Sequence, residues 1–357
     1  MMKNIIISID KKLIDAIRLM DDNDGKLLIV TGENRLFVSI LSIGDVQRYL
    51  IKHQTLDVTI NHALRKNIKI ASPSDSLEEI KKQMIQFRME FIPIVNDKKE
   101  IENVIFWKDI IDEKVNQPHK KIDCPVVIMA GGKGTRLKPI TNIIPKPLIP
   151  IGEKTISELI IDNFQNVGCS DFYMSVNYKA DMIKDYFNSL SDKEYAIDFF
   201  IEDKPLGTAG SLHLIKDKIK TTFFVSNCDI LIDQDYSDIY EFHKSNAYDL
   251  TLVSALKDYN IPYGILEVGE NGLLKKLKEK PNMTYQVNAG LYVLEPHLLE
   301  LIPKDTFFHI THLMETIKEN GGKVGVFPVS EKSWSDIGEW KQYNETVKKL
   351  GYKPFIE

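Results

Sequence analysis

At 357 residues the chain is longer than one hydrophobic core usually serves, so two domains are expected. With 43% hydrophobic and 27% charged residues it reads as soluble and globular, and a net charge of −5 excludes a global attraction for nucleic acid or an anionic membrane. The 3 cysteines (Cys124, Cys169, Cys228) form neither a CxxC pair nor a metal spacing, no apolar run is long enough to span a bilayer, and the N-terminus lacks a signal-peptide pattern; reduced thiols and a cytoplasmic location follow as expectations.

The first third repeats itself. Leu13, Ile17 and Met20 mark an amphipathic helix, Leu27-Leu28-Ile29-Val30 a strand, Gly32-Glu33-Asn34 a turn, and Phe37 to Leu41 a second strand before a helix from Ser42. The order recurs from Ile70: Ser74 as helix cap, a helix through Leu77, Ile80 and Met84, strand Phe91 to Val95, turn Asn96-Asp97-Lys98, and strand Val104 to Trp107. Each half is too small to bury its own face, so the two should pack together. This arrangement resembles a tandem pair of CBS domains. In that family an acid after the last strand of each repeat commonly holds the ribose of an adenine nucleotide, with a Ser/Thr near its phosphate. Ser42 and Asp45 match in repeat one. Asp109 matches in repeat two, where Phe106 takes the Ser/Thr place. The competing role for both acids is to stabilise a helix N-terminus without any ligand.

The polar, proline-containing stretch Asn116 to Lys121 reads as a linker, giving domains at 1–118 and 122–350. Strands then alternate with helical patterns: Val126 to Met129, Ile156 to Gln165, Asp171 to Val176, Ala180 to Phe187, Ile197 to Glu202, Ala209 to Ile215 and Phe223 to Ser226. That alternation predicts a doubly wound, mostly parallel α/β sheet with ligands at the strand C-termini.

The string Ala130-Gly131-Gly132-Lys133-Gly134-Thr135-Arg136-Leu137, with Pro145-Lys146-Pro147 after it, follows the first of these strands. Glycines there let backbone N–H groups approach a phosphate closely, and Arg136 and Lys146 add positive charge. The spacing is neither GxxxxGK[ST] nor GxGxxG. The run from Gly131 to Thr141 instead closely resembles the signature of the sugar-phosphate nucleotidyltransferases, a Rossmann-like fold.

Further segments extend the resemblance. Glu202-Asp203-Lys204-Pro205-Leu206-Gly207-Thr208-Ala209 resembles the family's base pocket, where the residue at Glu202 and the backbone at Gly207 read the base; Gly207-Thr208 is expected to open a helix facing the site. A carboxylate only accepts hydrogen bonds, which suits the two neighbouring donors of guanine, although it also accepts from the imide N–H of a pyrimidine. Asp229, after strand Phe223 to Ser226, and Asp336, in Trp334-Ser335-Asp336-Ile337-Gly338, stand where the family has its Mg²⁺ ligands; here Asn227-Cys228 precedes the first Asp where glycine is usual. The resemblance places Tyr263, Gly264, Glu279 and Asn288 against the sugar and Lys280 on its phosphate. His309, His312 and Glu315 have helical spacing but no accompanying zinc ligands; with Phe307-Phe308 they read as a helix face at the domain edge, or His309 as a sugar-pocket wall.

The implied reaction joins an NTP, with GTP favoured, to a sugar 1-phosphate. A CBS pair ahead of this domain further resembles the glucosamine-1-phosphate guanylyltransferases of legionaminic acid synthesis. A thymidylyl or uridylyl enzyme, or a mannose or heptose 1-phosphate guanylyltransferase, is the nearest alternative. Outside enzymes, the alternatives are a nucleotide-sensing CBS protein with a dead transferase and a subunit serving assembly; a homo-oligomer is expected in any case.

Overall fold

The computed structural model describes residues 5–23, 25–66, 68–87, 89, 91–106, 120–191 and 193–354. Two compact units divide the chain, 1–118 and 119–357.

Unit 1 opens with β1 (Ile6–Ser8), α1 (Leu13–Asp22), β2 (Leu27–Thr31), β3 (Phe37–Ser42) and α2 (Ile43–His53). It continues with α3 (Leu77–Phe87), β4 (Phe91–Val95) and β5 (Ile101–Phe106). The repeat is visible in the hydrogen bonding. Strand β1 runs parallel to β2, as the Ala71 bridge runs parallel to Ile94. Both antiparallel hairpins slip register at the corresponding place, Val30/Thr31 and Ile94/Val95. One core draws on both halves, Ile29, Phe37 and Ile40 meeting Met84, Phe91 and Val104. Helix α3 is capped by Ser76 and not by Ser74: the Ser76 hydroxyl accepts from Glu79 N (3.3 Å) while Glu79 accepts from Ser76 N (2.9 Å). The Ser-x-x-Glu capping box wins because it satisfies two donors at once.

Unit 2 begins with β6 (Val126–Met129), the short pair β7 (Pro150–Ile151) and β8 (Lys154–Thr155), then α4 (Ile156–Asn166), β9 (Asp171–Val176), α5 (Ala180–Ser189) and β10 (Ala196–Ile201). It proceeds through β11 (Phe223–Asn227), β12 (Ile230–Ile232), α6 (Tyr236–Ser245), β13 (Leu250–Asn260), β14 (Ile265–Val268), β15 (Leu274–Lys278) and β16 (Asn282–Leu294). It closes with α7 (Ile310–Glu319), β17 (Val324–Ser330), β18 (Trp334–Asp336) and α8 (Trp340–Lys349).

Seven strands form the sheet in the order β10-β9-β6-β11-β16-β13-β17, parallel throughout except that β16 opposes both neighbours. The strands are apolar on both faces because both are covered: Val126, Ile128 and Phe224 enter one core while Val127, Phe223 and Val225 enter the other. In the first core Phe164 of α4 sits edge-on to Phe224 (5.2 Å) and Tyr236 (4.7 Å), fixing helix against sheet. The chain leaves β6 toward β9 and β10, then returns to its other side at β11. The switch point therefore lies between the C-terminal ends of β6 and β11.

A buried polar network fastens α6 to the sheet. His243 is wholly buried; its Nε2 donates to Glu295 (3.3 Å), so Nδ1 accepts from the Thr251 hydroxyl (2.9 Å). Burial holds the His243 pKa below its ordinary value, although Glu295 pulls the other way. Burial also pushes Glu295 up, but hydrogen bonds from Lys244, Thr222 and His243 outweigh it and its pKa is lowered. In both cases the unfolded chain binds protons more readily than the folded one, so stability falls on acidification. The histidine share is complete above about pH 6.5 and is lost as the pH drops below that value. Thermal melts should therefore decline between about pH 7 and 5, and His243→Gln should flatten that decline; an unchanged slope would remove His243 as its cause.

Candidate active site

A cleft of about 380 Å³ opens at the switch point. Its floor comes from the turn after β6, with Gly131, Gly132, Gly134, Thr135 and Arg136, and from Asn227, Cys228 and Asp229 after β11. Lys146 and Glu202 close its two sides.

The glycine turn is shaped by close approach. Gly134 has φ +60°, and a Cβ there would lie 2.9 Å from Thr141 Cγ2 and 3.1 Å from Lys146 Cβ. The Thr141 hydroxyl donates to Gly134 O (2.9 Å) and is itself buried. Thr141 thus pins the turn in a left-handed conformation that glycine adopts without cost. Ala130 sits below, buried, its N–H bonded to Ser175 O (2.9 Å).

Lys146 is buried and donates to Asp229, a carboxylate largely shielded from water. Asp336 arrives beside them because β12 pairs with β18, setting Ile230 opposite Asp336 and bonding Ile337 N to Asp229 O (2.7 Å). Burial and then the Asp229 charge raise the Asp336 pKa above the usual carboxylate range, with Lys146 and Arg136 opposing. Two carboxylates that repel each other beside open space fit a divalent cation, whose charge would relieve them. Among the described residues no cluster of three or more His, Cys, Asp and Glu forms a complete metal cage. Two carboxylates suffice for magnesium, which takes its remaining ligands from water and substrate phosphates. Cys228 next door is no nucleophile: burial and the Asp229 charge push its thiol up to about 12.

The segment carrying Asp336 also touches the glycine turn. Arg136 Nη1 meets Glu339 Oε1 at 3.3 Å, and Trp340 Nε1 donates to Lys138 O (2.9 Å). A Cβ on Gly338 would lie 3.1 Å from Arg136 Nη2 and 2.8 Å from Asp336 Oδ1, so glycine leaves room for the guanidinium.

At the other end, Glu202 is buried. Its carboxylate accepts from the Ser175 hydroxyl and from Leu206 N (3.1 Å), one bond to each oxygen. Each oxygen keeps a second lone pair, and a Cβ on Gly131 would lie 2.8 Å from Oε1, so only glycine leaves that carboxylate uncovered. Gly207 has φ +82° and a Cβ there would sit 2.7 Å from Phe308 O. Gly207 and Thr208 line the cleft but open no helix into it. The helix expected from there is instead a 3₁₀ helix, Gly210–Ile215, that starts later, and the Thr208 hydroxyl accepts from Ile310 N (3.0 Å) at the start of α7. The reason is the docking of 206–210 on 306–308: Phe308 O takes both Ala209 N and Gly210 N (3.0 Å each).

That docking also overturns the domain-edge reading of Phe307, which lines the cleft. His309 and His312 are accounted for by capping, His309 N donating to His312 Nδ1 (3.3 Å) at the N-terminus of α7.

The five residues assigned to the sugar lie outside the cleft lining. Tyr263 and Gly264 follow β13, Glu279 and Lys280 follow β15, and all four gather at the base of the β14–β15 arm, where Ile261 N bonds Pro281 O (3.1 Å). A Cβ on Gly264 would lie 2.9 Å from Glu279 Oε2, and Tyr263 is 75% exposed. Asn288 spends its oxygen on Gly290 N (2.9 Å) and Tyr292 OH (3.0 Å).

In unit 1, Asp45 is almost wholly buried and fully engaged. One oxygen accepts from Ser42 N (2.9 Å) and Oγ (2.6 Å); the other meets Arg48 and Arg65 Nε (2.8 Å). Ser42 and Asp45 thus form the capping box of α2, which accounts for both without a ligand. Asp109 lies outside the described residues.

The sequence model of the nucleotidyl transferase family matches residues 125–352, and that of the CBS domain matches 60–116. Mannose-1-phosphate guanyltransferase of Saccharomyces cerevisiae is 31% identical over 227 residues, 61% of this chain and 62% of that one. The enzyme of the same name from Pichia angusta is 35% identical over 226 residues, 61% of each. The chain thus spans under two thirds of the length of these relatives. The inositol-1-phosphate CTP transferase from T. maritima superposes with a TM-score of 0.50 at 19% identity, over 65% of this chain and 96% of that one, and so shares the fold. Among the described residues no helix is long and apolar enough to cross a membrane.

Proposed function

Since the chain belongs to the nucleotidyl transferase family, we propose that it transfers a nucleotidyl group from an NTP to a sugar 1-phosphate, giving an NDP-sugar and pyrophosphate. The observation that carries this reading is the convergence of Arg136, Lys146, Asp229 and Glu202 on one cleft at the sheet's switch point.

A sugar phosphate oxygen attacks the α-phosphorus as the bond to the departing pyrophosphate breaks, in line and without a covalent enzyme intermediate. The protein's part is positioning and charge neutralisation. Backbone N–H groups of Gly131 to Thr135 cradle the phosphates, Arg136 stabilises the leaving pyrophosphate, and Lys146 holds the α-phosphate. Asp229 and Asp336 would hold a magnesium ion, which when bound neutralises phosphate charge. The arm residues Glu279 and Lys280, with Tyr263, Gly264 and Asn288, would meet the sugar phosphate once the arm approaches the cleft.

GTP is the favoured donor. Glu202 has one bond on each oxygen and a free lone pair on each, matching the N1–H and amino group of guanine. The guanyltransferase names of the relatives support the same base. Glucosamine 1-phosphate is the first acceptor to test because a CBS-type unit precedes the transferase; mannose 1-phosphate is the second, because the relatives' names specify it. The setting is the cytoplasm, consistent with three free cysteines.

The test is pyrophosphate release with magnesium, crossing five NTPs with glucosamine, mannose, glucose and N-acetylglucosamine 1-phosphates. Release confined to GTP with one hexose 1-phosphate supports the reading and names the sugar. Release with another NTP moves the base, and silence across the grid overturns the reaction.

A further inference from the structure

Phe307 lines the cleft but takes no part in the phosphate chemistry or in reading the base edge. The residue is 57% exposed although it lines the same space as Glu202, Pro205 and Gly207. An aromatic ring left in water on the wall of a cleft forgoes the stabilisation of burial until something flat covers it. Its position is not accidental. Phe308, the next residue, donates N–H to Leu206 O (2.9 Å) and accepts from Ala209 and Gly210. The backbone at 307 is thereby fixed against Gly207, whose absent side chain leaves Phe308 N only 3.3 Å from where a Cβ would stand. The ring makes a T-shaped contact with His309, with centroids 4.7 Å apart and planes at 79°. A T-shaped contact engages at most one face of the Phe307 ring, so His309 leaves at least one face open.

We propose that Phe307 is a base-stacking residue: its ring packs against the nucleobase whose edge Glu202 reads. This deepens the proposed reaction and rests on it. The nucleobase is the only planar, weakly hydrated part of the two substrates; the phosphates belong to the far end of the cleft, at Arg136, Lys146 and Asp229, and a sugar offers hydroxyls instead of a π face. Stacking is indifferent to which base is bound, so Phe307 supplies affinity while Glu202 supplies choice.

The test separates the base from the rest of the nucleotide. Phe307→Ala should raise the KM for GTP about 10-fold, the scale on which an aromatic-to-alanine change removes one stacked base, while kcat and the KM for sugar 1-phosphate stay at wild-type values. Inhibition by inorganic tripolyphosphate, which has no base, should be unchanged. Phe307→Trp, which keeps a flat ring, should restore the GTP KM. A GTP KM that does not move overturns the proposal, as does a tripolyphosphate inhibition constant that moves with it or a shift confined to the sugar 1-phosphate. Calorimetric binding of GTP to the wild-type chain and to both variants reads the same stacking without turnover. A chain that releases no pyrophosphate but loses GTP affinity on Phe307→Ala would sink the reaction and keep the stacking.

Discussion

Arg136→Ala lowers kcat by roughly 100-fold or more, the scale for removing one preorganised charged donor from a site where negative charge develops. The arginine sits on the turn after β6, 61% exposed at its side chain, with open space before it. Leaving pyrophosphate carries more charge than the substrate did on the same oxygens, so a cation waiting there stabilises the transition state more than the ground state. The KM for sugar 1-phosphate should change little. Glu339→Gln separates positioning from chemistry. That variant removes only the negative charge from a 3.3 Å contact on an exposed pair, which is worth about 1 kcal/mol or less, so it should cost a few-fold at most. Steady-state pyrophosphate release measures both. A wild-type rate in Arg136→Ala would remove the arginine from the reaction, and equal losses in the two variants would make it a structural residue.

What the sequence makes legible here follows from where the physics is local. The apolar strands, the phosphate turn and the unit 1 repeat are written in short-range pattern, and the hairpin bulges at Val30/Thr31 and Ile94/Val95 show the repeat reaching into the register. The pairing of Asp229 with Asp336 is readable only through a resemblance, since nothing near residue 229 announces that β18 will lie beside β12. Phe307 is misread for the same reason. Its neighbours in sequence suggest a helix face, while its place in the cleft depends on Phe308 docking on a loop about a hundred residues earlier. The helix expected to open at Gly207-Thr208 starts only at Gly210, as a 3₁₀ helix, because Phe308 O claims Ala209 N and Gly210 N. The local signal for that docking is Gly207 itself, whose φ of +82° fits a turn and not the first residue of a helix.

Lys146→Met should damage both rate and stability, and the two losses have different causes. Lys146 is 9% and Asp229 17% exposed at the side chain, so their ion pair is largely out of water. Removing the cation leaves Asp229 and Asp336 repelling each other, with only the Gly338 N–H and the more distant Arg136 to offset the Asp336 charge. Breaking such a pair from one side costs about 3 kcal/mol, the low end for buried pairs because Asp229 keeps some water. The sign of the pH effect identifies the mechanism. Asp336 already has a raised pKa, so its folded form takes up a proton more readily than its unfolded form, and its penalty is relieved as the pH falls. Lys146 holds that pKa down, so without it the penalty at neutral pH grows and the relief on acidification grows with it. The melting deficit of Lys146→Met should therefore be largest near neutrality and shrink toward about pH 5. Adding Asp229→Asn should recover much of the stability at neutral pH, because it removes one of the two repelling charges. It should recover none of the activity, because the lysine that would hold the α-phosphate and a carboxylate that would hold the metal are then both gone. Thermal melts and pyrophosphate release on the single and double variants read these outcomes. A single variant that melts like wild type would mean that the pair contributes nothing, and a double variant that regains turnover would place the chemistry elsewhere than on Lys146 and Asp229.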